Sequence, residues 1–276
     1  MRRFLSSRAS GLIGAGVLLL AALPLEALPA PASSTPSPAA SPAATPKRAP
    51  VTKAAPSAKA TPVPTPPPSF SRPQLGLRPT DVPELDRSGI SEEAQRLAKR
   101  ATDAFERGDL AAAKRDYEQV LVLAPDNAAA SINLGLLAYR QHRMDDAESI
   151  LRKVVRANPE AGLAWLILGI VYYEGDKLDA ALAALAQAAW LEPKDPRVHH
   201  YLGVTIGRKG WYSGAEDEMR KAIELQPDYA EAHFNLAVFY LQRNPPALEL
   251  ARRHYQRALD LGAAPDSQVA KLINGP

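Results

Sequence analysis

Between residues 91 and 263 the apolar positions fall three and four apart in short runs, the spacing that lines one face of an α-helix, and the pattern repeats every 34 residues. Prolines stand at 125, 159, 193 and 227, closing the phrases EQVLVLAP, RKVVRANP, AQAAWLEP and RKAIELQP. Twelve residues before each proline is a small side chain, Ala113, Ala147, Ala181 or Ala215. A larger one follows four residues later, Tyr117, Leu151, Leu185 or Met219, and then Val120, Val154, Ala188 or Ala222. In the first half of the units, Leu-Gly recurs as Leu134-Gly135, Leu168-Gly169 and Leu202-Gly203. Each unit therefore reads as a helical hairpin. Helix A carries the Leu-Gly pair, where a missing Cβ admits its partner closely, and helix B carries the alanine and the larger residue that fills the gap between neighbours. Turn residues at Gly108-Asp109, Gly175-Asp176 and Gly210 separate the halves. The proline ends helix B, because it has no N–H and clashes with the preceding turn.

The end units depart from this pattern. In the first, Arg100-Ala101 replaces Leu-Gly, Ala104 stands where an aromatic is usual, and Ser91 with Glu92 and Glu93 reads as a helix start. The fifth has Phe234-Asn235-Leu236-Ala237 and Tyr240 in helix A, and Ala251, Tyr255 and Ala258 in helix B. Its halves are two residues further apart at Asn244-Pro245-Pro246, and its closing proline is displaced to Pro265. A short helix over 268–273, begun by Asp266 or Ser267, is expected to cover the open end, since a stack of repeats needs a cap.

These residues resemble the tetratricopeptide repeat, with its 34-residue period and its W-x2-L-G-x2-Y, A-x3-F and P signature. The third unit matches best, with Trp165, Leu168, Gly169, Tyr172, Ala181, Leu185 and Pro193. The resemblance implies an all-α fold, a right-handed superhelix of five units at 94–127, 128–161, 162–195, 196–229 and 230–264, with a capping helix and tail at 265–276. It also implies that the A helices line a concave face and that positions 2, 5, 9, 12 and 13 of each unit meet a ligand. Carried over, these give a peptide-binding groove of Ile132, Leu136, Tyr139, Leu166, Ile170, Tyr173, His200, Val204, Arg208, Phe234 and Val238. Its centre reads as an exposed apolar stripe suited to an amphipathic helix or apolar peptide. The alternative is that these side chains pack between the A helices or on the linker. Ala98 and Thr102 stand where relatives that bind chaperone tails carry a Lys and an Asn that clamp a C-terminal carboxylate, which argues against such a ligand.

The residues before the repeats are of another kind. Arg2, Arg3 and Arg8 precede an apolar run from Gly11 to Leu23 and then small residues, the order of an export signal over 1–30. The run is short for a membrane span, so a cleaved signal is expected, with an uncleaved N-terminal anchor as the alternative; either directs the chain to the periplasm or cell envelope. Residues 31–85 read as a disordered Pro- and Ala-rich spacer, 17 of the 26 prolines lying between 24 and 83. Residues 1–80 hold nine Lys or Arg against Glu26 alone; of the chain's 33 basic and 30 acidic residues this leaves 24 and 29 for the repeats, a net charge of −5. The repeats therefore offer no basic face for nucleic acid.

There is no cysteine, which excludes disulfides, thiolate metal sites and a cysteine nucleophile. No H-E-x-x-H, P-loop or G-x-S-x-G motif occurs. His199 and His233 take the fourth position of their units, where Trp is usual, so packing accounts for them; Trp165, Trp190 and Trp211 likewise read as packing residues. The expectation is a non-catalytic scaffold without metal or cofactor that binds another protein, assembling envelope or secretion components. The alternative is an accessory subunit of an envelope enzyme system, for polysaccharide export or wall synthesis.

Overall fold

The repeat pattern is realised as five helical hairpins and a short closing helix. The computed structural model describes residues 90–275, among which are eleven α-helices and no strand. The A helices are α1 (Glu92–Glu106), α3 (Ala128–Arg140), α5 (Gly162–Glu174), α7 (Pro196–Arg208) and α9 (Ala230–Leu241). The B helices are α2 (Leu110–Leu123), α4 (Met144–Ala157), α6 (Leu178–Leu191), α8 (Tyr212–Leu225) and α10 (Leu248–Asp260), and α11 (Ser267–Asn274) follows. The export signal expected over 1–30 and the spacer expected over 31–85 lie outside the described residues.

Local chemistry sets the helix ends. Ser91, Asp109, Asn127, Asp195 and Asp266 each accept a backbone N–H from the first turn of the helix they open, supplying a partner that the helix itself lacks there. Helices α2, α4, α6 and α8 each stop two residues before Pro125, Pro159, Pro193 or Pro227. The turn inside the hairpin needs one residue in the left-handed region, and it recurs every 34 residues at Gly108, His142, Asp176 and Gly210. In the third unit that role falls to Asp176 and not to its neighbour Gly175, whose φ is −80°. Asp can take this conformation at modest cost.

Packing turns on the eighth position of helix A. A Cβ built on Gly135 would lie 2.7 Å from Leu151 Cγ, one on Gly169 2.6 Å from Leu185 Cγ, and one on Gly203 2.6 Å from Met219 Cε. The larger residue of each B helix thus fills the hollow left by the glycine, and Leu151, Leu185 and Met219 are fully buried. In the degenerate first unit, Ala101 and Tyr117 hold the matching places in the core. The Arg100 that replaces leucine there reaches across the hairpin, giving Asp116 on α2 two hydrogen bonds of 2.5 and 2.6 Å. That pair holds the Asp116 carboxyl below its ordinary range.

Each B helix also packs on the next A helix, which joins the hairpins into one stack. Polar bridges follow the same step. Lys177 Nζ meets Glu148 Oε2 at 2.6 Å, Arg208 Nη2 meets Asp176 Oδ1 at 2.5 Å, and Arg243 grips the buried Glu216, which also accepts from Arg220. At the far end α11 lays Val269 and Ile273 into the core as expected of a cap, and Tyr255 Oη both donates to Asp266 O and accepts from Asp266 N.

Two glycines separate close packing from simple helix propensity. A Cβ on Gly207 would meet the Phe239 ring at 2.4 Å, whereas one on Gly214 meets only Ile206 at an ordinary 3.5 Å. Gly207→Ala is expected to lower stability by about 1–3 kcal/mol through overpacking. Gly214→Ala is expected to raise it by about 0.5–1 kcal/mol. Urea denaturation of the two variants checks the opposite signs.

Candidate functional site on the inner wall

Neighbouring A helices touch one another (α3 with α5, α5 with α7, α7 with α9), whereas consecutive B helices make no comparable contact. The stack therefore bends toward the A side, and the A helices form its inner wall. The residues expected to make a groove do line up along this wall, but the apolar stripe is not exposed. Ile132, Leu136, Leu166, Ile170, Tyr173, Val204, Phe234 and Val238 are all buried, members of the two apolar clusters that run through the stack. The reason is closeness: side chains at positions 5 and 9 interlock with those of the adjoining A helix, the packing alternative raised by the sequence. Of the expected set, only the half-buried Tyr139 and the exposed Arg208 present side chains at the surface.

His200, also expected in the groove, is wholly buried and serves as a link between units. Asn235 donates from Nδ2 to His200 Nε2 at 2.9 Å, which leaves the ring proton on Nδ1 to be donated to Tyr229 Oη, also at 2.9 Å. Burial pushes the His200 imidazole down to about 3, so it stays neutral. Asn133 occupies in unit 2 the place that Asn235 has in unit 5. The corresponding residue of its preceding unit is Ala98, and the buried Asn133 Oδ1 has no hydrogen-bond partner.

The fourth position shows why histidine replaces tryptophan. Trp165 Nε1 donates to Pro159 O at 2.8 Å, His199 Nε2 to Pro193 O at 2.9 Å and His233 Nε2 to Pro227 O at 3.2 Å. Each ring satisfies the carbonyl of the proline six residues before it. His199 donates its other N–H to Glu218 Oε2 at 2.7 Å, a bond that raises its pKa. His233 Nδ1 faces His254 Nδ1 at 2.9 Å, and burial followed by the charge of His233 holds His254 down to about 4. Among the described residues no three His, Asp or Glu side chains converge as metal ligands do. Trp190 and Trp211, expected to pack, are instead 75% and 57% exposed. Both belong to the B-helix side, where their large surface has no neighbouring helix to cover it.

The polar edge of the wall has its own regularity. Arg140 stacks over Phe105 at 4.8 Å and Arg208 over Tyr173 at 5.0 Å, each from position 13 to position 12 of the preceding unit. At the opposite edge, Ile132 and Leu166 join Leu163, Arg197 and Val198 around a cleft of about 130 Å³ rimmed by Glu160, Glu192 and Asp195. These are the places where the wall offers shape and charge to a ligand. Sequence spacing identified the wall but not the contacts between its units; those of His200 with Asn235, Arg140 with Phe105 and Arg208 with Tyr173 join residues 35 apart, one repeat plus one residue.

A family model described as Tetratricopeptide repeat matches residues 98–156 and 132–197, and a second of the same description matches 218–260, together just over half of the 276 residues. Part of the human protein O-mannosyl-transferase TMTC1 is similar, 26% identical over 186 residues, 66% of this chain and 21% of that protein. So is part of the mouse BBSome complex member BBS4, 32% identical over 117 residues, 42% of this chain and 22% of that protein. The chain thus spans about a fifth of the length of these curated relatives. Among solved structures, MamA from Desulfovibrio magneticus RS-1 superposes with a TM-score of 0.56 at 18% identity, covering 65% of this chain and 100% of that one. YrrB, described as a TPR protein with an unusual peptide-binding site, gives 0.52 at 24% identity, covering 65% and 90%. At these identities the likeness is one of fold.

The buried histidines make stability depend on pH. An unfolded imidazole takes up a proton near pH 6.5, whereas folded His200 does so only near 3 and His254 near 4. Their contributions are complete above pH 6.5 and fall as the pH drops through that window. His199 acts oppositely, its contribution complete below 6.5 and lost as pH rises through its raised folded value. His200→Gln is expected to be less stable than the parent at pH 7.5, with the gap shrinking between pH 6.5 and 4.5 by up to about 1.4 kcal/mol per pH unit. Chemical denaturation across that range measures the gap; a constant or widening gap contradicts the assignment.

Proposed function

The chain belongs to the tetratricopeptide repeat family, and on that footing we propose that it is a non-catalytic scaffold whose inner wall holds a segment of another protein. The observation that carries this reading is the wall itself. The A helices of five hairpins form one continuous surface, edged in register by Arg140 and Arg208 on one side and by the cleft at Leu163 and Arg197 on the other. A polypeptide laid along such a surface passes one A helix per unit and meets an edge arginine in every second unit, at Arg140 and Arg208, and repeated contacts are how stacked helices recognise extended chains. The relatives that share these repeats include a mannosyltransferase and a BBSome member, and the shared part is a minor fraction of each. That is how an interaction module carried by many proteins behaves.

The scaffold is proposed to work outside the cytoplasm. The support is Arg2, Arg3 and Arg8 ahead of the apolar run Gly11–Leu23 and the small residues after it. In this setting the partner is a component of the cell envelope or of a secretion assembly. The second reading, an accessory subunit of an envelope enzyme, draws on the likeness to part of an O-mannosyl-transferase.

Because the apolar stripe is buried, a charge at Leu166 or Ile170 attacks the fold and says nothing of binding. The informative substitutions are at the edge. Tyr139→Ser with Arg140→Glu is expected to lower capture of the native partner from the source cells at least tenfold while leaving helicity unchanged by circular dichroism. Trp190→Ser, on the B-helix side, is expected to leave capture intact. Equal capture by all three proteins removes the inner-wall reading. Deletion of residues 2–23 is expected to keep the chain in the cytoplasm on cell fractionation; unchanged distribution contradicts export.

A further inference from the structure

Unit 3 departs from the other units at a pair of positions that the packing of the stack does not require. The first residue of its helix A is Gly162, and the residue before its closing proline is Glu192. The matching pairs are Ala94 with Ala124 in unit 1, Ala128 with Asn158 in unit 2 and Pro196 with Gln226 in unit 4. A Cβ built on Gly162 would lie 2.4 Å from Glu192 Cγ and 2.9 Å from Glu192 Oε1. The missing methyl group is therefore what lets this carboxylate lie against the start of α5.

Glu192 and Gly162 line the cleft at the edge of the inner wall, where α3, α5 and α7 begin. Ile132, Leu163, Leu166 and Val198 give that cleft its apolar sides. Of the three acids at its rim, Asp195 is already engaged: it caps α7 and accepts from the Arg197 guanidinium at 2.6 to 3.1 Å. Glu160 and Glu192 are exposed, and among the described residues neither side chain has a hydrogen-bond or ion-pair partner. Helix α5 takes no side-chain cap, so its N–H groups do not use them either. An apolar cavity of ~150 Å³ holds a benzene-sized group, so a cleft of about 130 Å³ has room for one side chain and none for a helix. Apolar sides beneath two unpaired carboxylates suit a side chain with an unbranched stem and a cationic tip. Lysine fits this better than arginine. Its ammonium is a compact charge whose three donors can face carboxylates from two segments, whereas the flat guanidinium fork pairs with one.

We propose that this cleft receives a lysine side chain of the segment held on the inner wall, with its methylenes against Leu163, Leu166 and Val198 and its ammonium between Glu160 and Glu192. This rests on the reading of the wall as a polypeptide-binding surface and adds a chemical requirement on the partner. The net acidic repeats attract a basic segment as a whole. The cleft then fixes its register, because the matching pairs of the other units lack the carboxylate that Gly162 admits.

The test uses the full-length protein with n-butylammonium, the lysine side chain alone, and 1-butanol, its uncharged counterpart. In nuclear magnetic resonance titrations n-butylammonium is expected to shift the amide signals of Leu163, Leu166 and Val198 saturably. It is expected to bind about fivefold or more tightly than 1-butanol, as two partly exposed ion pairs allow. The variant with Glu160→Gln and Glu192→Gln keeps the shape of the cleft and is expected to abolish that difference. The same variant is expected to lower capture of the native partner about tenfold. No saturable shift at these residues, or equal affinity of parent and variant for the amine, overturns the proposal. The wider reading fails separately. Capture lost with Tyr139→Ser and Arg140→Glu but kept with Glu160→Gln and Glu192→Gln removes only the lysine cleft; capture kept by both variants removes the proposed function, and the lysine cleft with it.

Discussion

At the eighth position of helix A in units 2, 3 and 4 a methyl group would displace the side chain that packs there, and the close approach of the two helices of each hairpin is what the rest of the stack depends on. Leu151, Leu185 and Met219 enter the hollows left by Gly135, Gly169 and Gly203. This brings the two helices of each hairpin close enough for the alanines of helix B, Ala147, Ala181 and Ala215, to be fully buried against helix A. Once the hairpins are this thin, each B helix can seat the next A helix, and neighbouring A helices come into contact. The bend of the stack, the continuity of the inner wall and the burial of its apolar residues follow from the same close approach. Packing at interior density makes these steps nearly all-or-none, since a lost contact cannot be recovered by relaxing a liquid-like core.

Within that frame the polar chemistry is conserved in role while the residue type varies. Trp165, His199 and His233 differ in size and charge, yet each gives a ring N–H to a proline carbonyl six residues back. Arg140 and Arg208 stack on Phe105 and Tyr173 by the same step between units. The histidines add something tryptophan lacks. His200 and His254 are held neutral by burial while His199 is drawn toward its charged form by Glu218, so acid acts mainly on the last two units. Those units also carry the buried Glu216 with its two arginines, an arrangement costly to break because a carboxylate would be left in the core.

The hairpins, their order and the closing helix were legible in the sequence because a 34-residue period states the same contact several times over. Gly135, Gly169 and Gly203, or the prolines from 125 to 227, identify a shared hollow and a shared stop without any knowledge of distance. The wall was legible to the same degree, since helical spacing says which side chains share a face. Its exposure was not, because spacing along one helix does not reveal how near the next helix comes or what covers the side chain. Leu136 and Ile170 therefore read as an open stripe and are buried, and Trp190 and Trp211 read as packed and are exposed. The link from His200 to Asn235 escaped for another reason: its partners are one repeat and one residue apart, and neither residue is unusual alone.

The central claim is that the apolar face of the inner wall is closed to solvent in the native chain. Because the protein has no cysteine, a single introduced thiol reports on one position. Thiol labelling of Ile170→Cys and Trp190→Cys under native conditions compares the wall with the exposed outer side. The account predicts that Ile170→Cys reacts at least about a hundredfold more slowly, through opening of the structure alone. Equal rates at the two positions would contradict it.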